Sequence, residues 1–149
     1  MKDFPGDKNL KLEIFTPDEF SRQEIPVSAD AVPAGFPSPA EDYLDKKLDL
    51  NEYLIKRPSS TFFIRVSGNS MTGAGIHDGD LLIVDRSVTA EDNKVVIGVV
   101  NGEFTVKRIR KKGQKIFLQP ENPQFKELEI IPGMDFSIWG VVIYTIHKM

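Results

Sequence analysis

The sequence predicts a mainly β protein: a compact domain of short, mostly antiparallel strands, preceded by an extended N-terminal arm and one or two short helices. Three observations carry this reading. Proline crowds the first 58 residues, at positions 5, 17, 26, 33, 37, 39 and 58, and only three more follow. From Thr61 onward, Val, Ile, Phe and Thr recur in short runs separated by turn residues, the pattern of strands rather than helices. Asn101-Gly102 stands between two such runs, and a type I′ hairpin turn needs residues that tolerate positive φ at both central positions.

Each proline removes a backbone donor and drives the residue before it toward extended geometry. Residues 1–36 therefore read as an arm with little helix or central strand. Ser38-Pro39-Ala40-Glu41 has the form of a helix start, with Ser as N-cap, Pro in the first turn and Glu at the third position. Tyr43, Leu44 and Leu48 would supply its apolar face. Asp49-Leu50-Asn51-Glu52 repeats the capping pattern before Tyr53, Leu54 and Ile55, and Arg57-Pro58 ends the second helix. The expected strands are 61–66, 81–85, 95–100, 103–110, 116–119, 127–130 and 136–146, with Lys112-Gly113 as a further turn. Seven short strands with frequent turns describe a compact, mostly antiparallel domain.

Composition narrows the chemistry. At 149 residues the chain suits one domain with an arm. The absence of Cys removes disulfides, thiolate metal sites and Cys nucleophiles, and fits a reducing compartment. A net charge of −3 argues against a chain-wide polyanion binder. Residues 1–10 are charged, without the apolar core of a signal peptide, and the most apolar stretch, 136–146, falls far short of the roughly 20 residues that span a bilayer. The expected setting is the cytoplasm, with no membrane contact.

The candidate nucleophile is Ser70 in Ser67-Gly68-Asn69-Ser70-Met71, directly after the apolar run 61–66. Gly68 permits a tight turn, and backbone N–H groups near Ser70 can face an oxyanion. Taken alone, the motif more often describes an ordinary turn serine. His77 lies in a turn and His147 near the end of the chain, so a Ser-His-Asp triad has no sequence support. Lys107 is the other candidate base. It lies inside the run Glu103-Phe104-Thr105-Val106-Lys107-Arg108-Ile109 and by alternation shares a face with Thr105 and Ile109. A lysine there is either desolvated and able to act as an amine, or a strand residue whose stem snorkels to solvent. Two separated His without Cys offer no metal-ligand spacing, Asp78, Asp80 and Asp85 match no calcium loop, and no phosphate-binding loop is present, so neither cofactor nor metal is expected. The basic run 107–115 reads as a solvated hairpin tip, with contact to an acidic partner or DNA as the alternative. In Val32-Pro33-Ala34-Gly35-Phe36-Pro37 two prolines hold an unbulky dipeptide extended, as in a protease substrate or a plain linker.

These pieces occur together in one known family. Ala34-Gly35-Phe36-Pro37-Ser38-Pro39-Ala40, Ser67-Gly68-Asn69-Ser70-Met71, Asp78-Gly79-Asp80-Leu81-Leu82-Ile83-Val84-Asp85 and Gly102-Glu103-Phe104-Thr105-Val106-Lys107 resemble, in order and spacing, the UmuD and LexA family of self-cleaving Ser-Lys peptidases. The resemblance runs from Ala34 nearly to the end of the chain. It implies Ser70 as nucleophile, Lys107 as general base and Ala34-Gly35 as the scissile bond. It also implies an arm (1–34) removed by self-cleavage and a peptidase and dimerisation domain (35–149). Implied partners are a second copy of the chain, a RecA filament on single-stranded DNA formed during the SOS response, and a UmuC-like Y-family DNA polymerase in error-prone translesion synthesis. Pro33, immediately before Ala34, departs from the family pattern. The Pro-rich residues before Ala34 cannot supply the helix-turn-helix of a LexA repressor, so sequence-specific DNA binding is not expected. Three other readings remain: a non-catalytic polymerase-binding module, a phage-encoded LexA-type regulator, and a signal-peptidase-like enzyme, which would need a membrane anchor.

Overall fold

The computed structural model describes residues 13–16, 22–27, 31–36 and 46–149. They form ten strands and one short helix: β1 (Glu13–Phe15), β2 (Ile25–Val27), β3 (Lys46–Leu48), α1 (Leu50–Leu54), β4 (Thr61–Arg65), β5 (Leu81–Asp85), β6 (Val95–Val100), β7 (Glu103–Lys112), β8 (Lys115–Gln119), β9 (Leu128–Ile130) and β10 (Phe136–Ile146). Single turns of 3-10 helix cover Pro58–Ser60 and Thr72–Ala74. The chain is mainly β and its strand pairs are antiparallel, as expected. Among the described residues, no helix is long and apolar enough to cross a membrane.

The chain divides into two units. The smaller, Asp18–Lys56, holds β2 paired with β3, and α1. The expected helix start at Ser38, with Tyr43 and Leu44, lies outside the described residues, and Leu48 belongs to β3. The second helix forms as expected. Asp49 is its N-cap, its carboxylate accepting from the Glu52 N–H at 3.2 Å and also from the Gln23 N–H at 2.8 Å. These bonds satisfy a helix-end donor and hold the Asp49 carboxyl below the ordinary carboxylate range.

The larger unit joins Met1–Pro17 with Arg57–Met149. Its eight-stranded sheet has the order β1-β4-β5-β10-β6-β7-β8-β9. The arm contributes more than the sequence suggests: β1 pairs with β4 as the edge strand. Three residues with no apolar alternation carry too little signal to be read as a strand alone. Asn101 and Gly102 close the β6–β7 hairpin at φ 48° and 80°, the left-handed geometry that the dipeptide predicts. Successive strand residues point to opposite faces, so the sheet has two cores. Ile64, Leu82, Val84, Ile97 and Val106 build one, with Met71 and Ile76. Val96, Val100, Ile109, Leu118 and Val141 build the other. β10 feeds both, pairing with β6 over its first half and β5 over its second, with a register shift in each ladder.

Candidate active site

Ser70 stands in the segment between β4 and β5. The end of β4 is fixed by two backbone bonds, Val66 N–H to Asp80 O (2.9 Å) and Gly79 N–H to Val66 O (2.8 Å). The chain then turns at Gly68, whose φ of 100° is closed to ordinary L side chains. The Gly68 N–H donates to the Asp78 carboxylate at 2.8 Å. Met71, 2 % exposed, plugs the core, and its carbonyl accepts from Ala74 and Ile76. A strand end, a glycine turn and a buried methionine thus hold Ser70 in place, and it is itself buried.

Lys107 sits in β7, flanked by β6 and β8, opposite Val96. The alternation predicted from the sequence holds, since Val106 enters one core and Ile109 the other. Lys107 is 1 % exposed, which settles the choice left open by the sequence: its stem does not snorkel. The amine Nζ lies 3.2 Å from Ser70 Oγ, 2.7 Å from Thr105 Oγ1 and 3.1 Å from the Val106 carbonyl oxygen. The structure therefore brings Ser70 and Lys107 together across 37 residues of sequence. Thr105 is the contact that sequence reasoning missed. Its signal was its place two residues from Lys107 on the same strand face.

The arrangement suits proton exchange. A neutral amine has two N–H groups and one lone pair. It can donate to the Val106 carbonyl and the Thr105 hydroxyl while its lone pair accepts the Ser70 O–H. After taking that proton, it donates to all three oxygens. Both protonation states keep the same partners, so the transfer requires little rearrangement.

The histidines serve elsewhere. His147 Nδ1 lies 2.6 Å from the Asp80 carboxylate, and the rings of His77 and His147 are 4.8 Å apart. Among the described residues no hydrogen bond joins either ring to Ser70. Burial opposes the Asp80 carboxylate, but the His77 N–H, the His147 imidazole and the Thr145 hydroxyl together hold its pKa below the ordinary value. Asp85, likewise buried, is held low by Ser87, Ser60 and Arg57. Asp78, Asp80 and Asp85 are thus occupied by separate protein partners, and the described residues contain no cluster of metal-ligating side chains. In the basic run, Arg108 pairs with Glu121 and Arg110 with Asp92, while Lys111, Lys112 and Lys115 are exposed, as expected of a hairpin tip. Ala34 and Gly35 lie in the smaller unit, in an exposed bend over 34–36. The chain bends there, where two prolines suggested an extended run.

Residues 26–143 match the family described as Peptidase S24-like. Protein MucA of Salmonella typhimurium is 42 % identical over 139 residues, covering 92 % of this chain and 94 % of that protein. Protein ImpA of Escherichia coli is 46 % identical over 125 residues, 83 % of each chain. LexA repressor 1 of Geobacter sulfurreducens is 39 % identical over 120 residues, covering 80 % of this chain and 58 % of the repressor.

Proposed function

Because the chain belongs to the Peptidase S24-like family, as a UmuD-like member, we propose that it is a self-cleaving serine peptidase that cuts its own arm between Ala34 and Gly35. The observation that carries this reading is the buried contact between Lys107 Nζ and Ser70 Oγ. An ordinary lysine has a pKa near 10.4, so only roughly one in 2,500 is neutral at pH 7. Burial disfavours the ammonium form, and Lys107 has the burial that a lysine base needs.

Neutral Lys107 accepts the Ser70 proton as Oγ attacks the Ala34 carbonyl carbon, and the carbonyl oxygen becomes an oxyanion held by backbone N–H groups around Ser70. Collapse of the tetrahedral intermediate breaks the Ala34–Gly35 bond, and the Lys107 ammonium protonates the departing Gly35 amine. Water, deprotonated by Lys107, then hydrolyses the Ser70 ester and frees the Ala34 carboxylate. The division into arm (1–34) and peptidase (35–149) follows this bond and not the packing units. The family resemblance supplies the setting. A RecA filament on single-stranded DNA, formed in the SOS response, would promote the cut in the cytoplasm. The trimmed homodimer would then serve a UmuC-like Y-family DNA polymerase as its accessory subunit.

The test is the intact mass of purified protein held at about pH 7.5 and about pH 10, with and without a RecA filament on single-stranded DNA. Expected is a 35–149 fragment, formed faster at alkaline pH and absent in Ser70→Ala and Lys107→Ala. Processing that persists in either variant would overturn the dyad. Full-length protein under every condition would favour the non-catalytic binding module instead.

A further inference from the structure

The Ser70–Lys107 contact joins two segments with no shared ladder, and a third segment bridges them. β8 pairs with β7, Gln119 lying opposite Arg108, and the chain leaves β8 through Pro120-Glu121-Asn122. Glu121 holds the serine loop by its backbone on both sides. Its N–H donates to the Ser70 carbonyl at 2.9 Å, and its carbonyl accepts from the Gly73 N–H at 2.7 Å. The Asn122 side-chain amide donates to the Asn69 carbonyl at 2.8 Å. The Glu121 carboxylate in turn accepts from Nε of Arg108, the residue next to Lys107, and Arg108 is pinned by a further bond to the Asn93 carbonyl at 2.7 Å. Gly73 makes the close approach possible, since a Cβ there would fall 2.6 Å from the Glu121 carbonyl oxygen.

We infer that Glu121, Arg108 and Asn122 are positioning residues for the peptidase reaction: a clamp that ties the serine loop to the strand bearing Lys107 and so sets the distance between nucleophile and base. None of the three touches the reacting atoms. The inference rests on the proposed dyad and adds what holds it assembled. It explains why a half-buried ion pair lies one residue from the base. An exposed pair contributes little stability, but one that fixes two loops governs the geometry of proton transfer, where a displacement of about 1 Å can cost roughly 100-fold in rate.

Two variants attack the clamp by different chemistry. Glu121→Gln keeps the backbone bonds and removes the charge on the Arg108 partner. Gly73→Ala keeps the ion pair and forces the backbones apart. Glu129→Gln, which breaks the Lys115–Glu129 pair between β8 and β9, is the control. Two readouts are taken on the full chain with 13C-labelled lysine: the self-cleavage rate against pH, and the titration of the Lys107 Cε signal. Each sample's unfolding midpoint is also measured. Loosening the clamp admits water to Lys107, so its titration midpoint should rise toward the ordinary lysine value. Cleavage should fall roughly 10- to 100-fold near neutral pH, with a smaller deficit at alkaline pH and no change in the control. An unmoved Lys107 midpoint in both variants would overturn the clamp, whether cleavage is unchanged or falls by one factor at every pH. If the wild-type chain never cleaves, the proposed function fails, yet the Lys107 titration still tests the clamp.

Discussion

Lys107 is the largest fully buried side chain among the described residues. An amine in such a position costs stability unless it is hydrogen-bonded, and the three oxygens around its Nζ offset only part of that cost. Lys107→Met would fill a similar volume without a polar atom. We expect it to abolish self-cleavage while leaving the urea unfolding midpoint at or above the parent's; a lower midpoint would show that the amine stabilises the fold. Ser70 and Lys107 were legible because motif and spacing marked them. Arg108 and Glu121 were not, because their contacts arise from strand pairing and loop packing that no short motif encodes, and Thr105 could be placed on the Lys107 face but not against its amine. The burial of Lys107 was the decisive unknown. Alternation places a residue on a face but does not say whether that face is covered.

At the scale of elements, the strands were legible where hydrophobic runs met strong turn residues. β5, β6 and β10 have the predicted bounds. β7 continues two residues past its expected end, to Lys112, because its charged tip still pairs with β8. β1 to β3 were missed, since strands of three residues take their pairing from partners and not from their own pattern. The β6–β7 hairpin offers a direct test of turn chemistry. Gly102 has φ 80°, and a β-branched side chain there meets the left-handed penalty of about 1–2 kcal/mol. Gly102→Val should lower stability by that amount in urea titration. An unchanged midpoint would mean that the turn is remodelled at no cost.

For the whole molecule, the buried carboxylates set the response to acid. Asp80 and Asp85 both have folded pKa values below the ordinary carboxylate value. Their contribution is therefore present in full above the unfolded value of about 3.9 and is lost as pH falls toward the folded values. The protein should lose stability steeply below about pH 4. Asp85→Asn removes the ionised acceptor for Arg57, Ser60 and Ser87. It should be less stable at neutral pH by about 1–3 kcal/mol and less sensitive to acid, a pair of effects that thermal unfolding at the two extremes would read. Equal acid sensitivity in variant and parent would place the response in other groups.

The position of β10 bears on when activity can arise. In the sheet, β5 and β6 meet only through β10, so the half that leads into Ser70 and the half that carries Lys107 share no ladder until β10 is inserted between them. β10 is also the last of the eight strands to emerge from the ribosome. Both the serine and the lysine precede that strand in the sequence, so until it pairs only the contacts of the segment after β8 can link the two halves. Under the proposed self-cleavage, a chain still lacking β10 would carry its serine and its lysine on two half-sheets with no ladder between them, and cutting would wait for that strand.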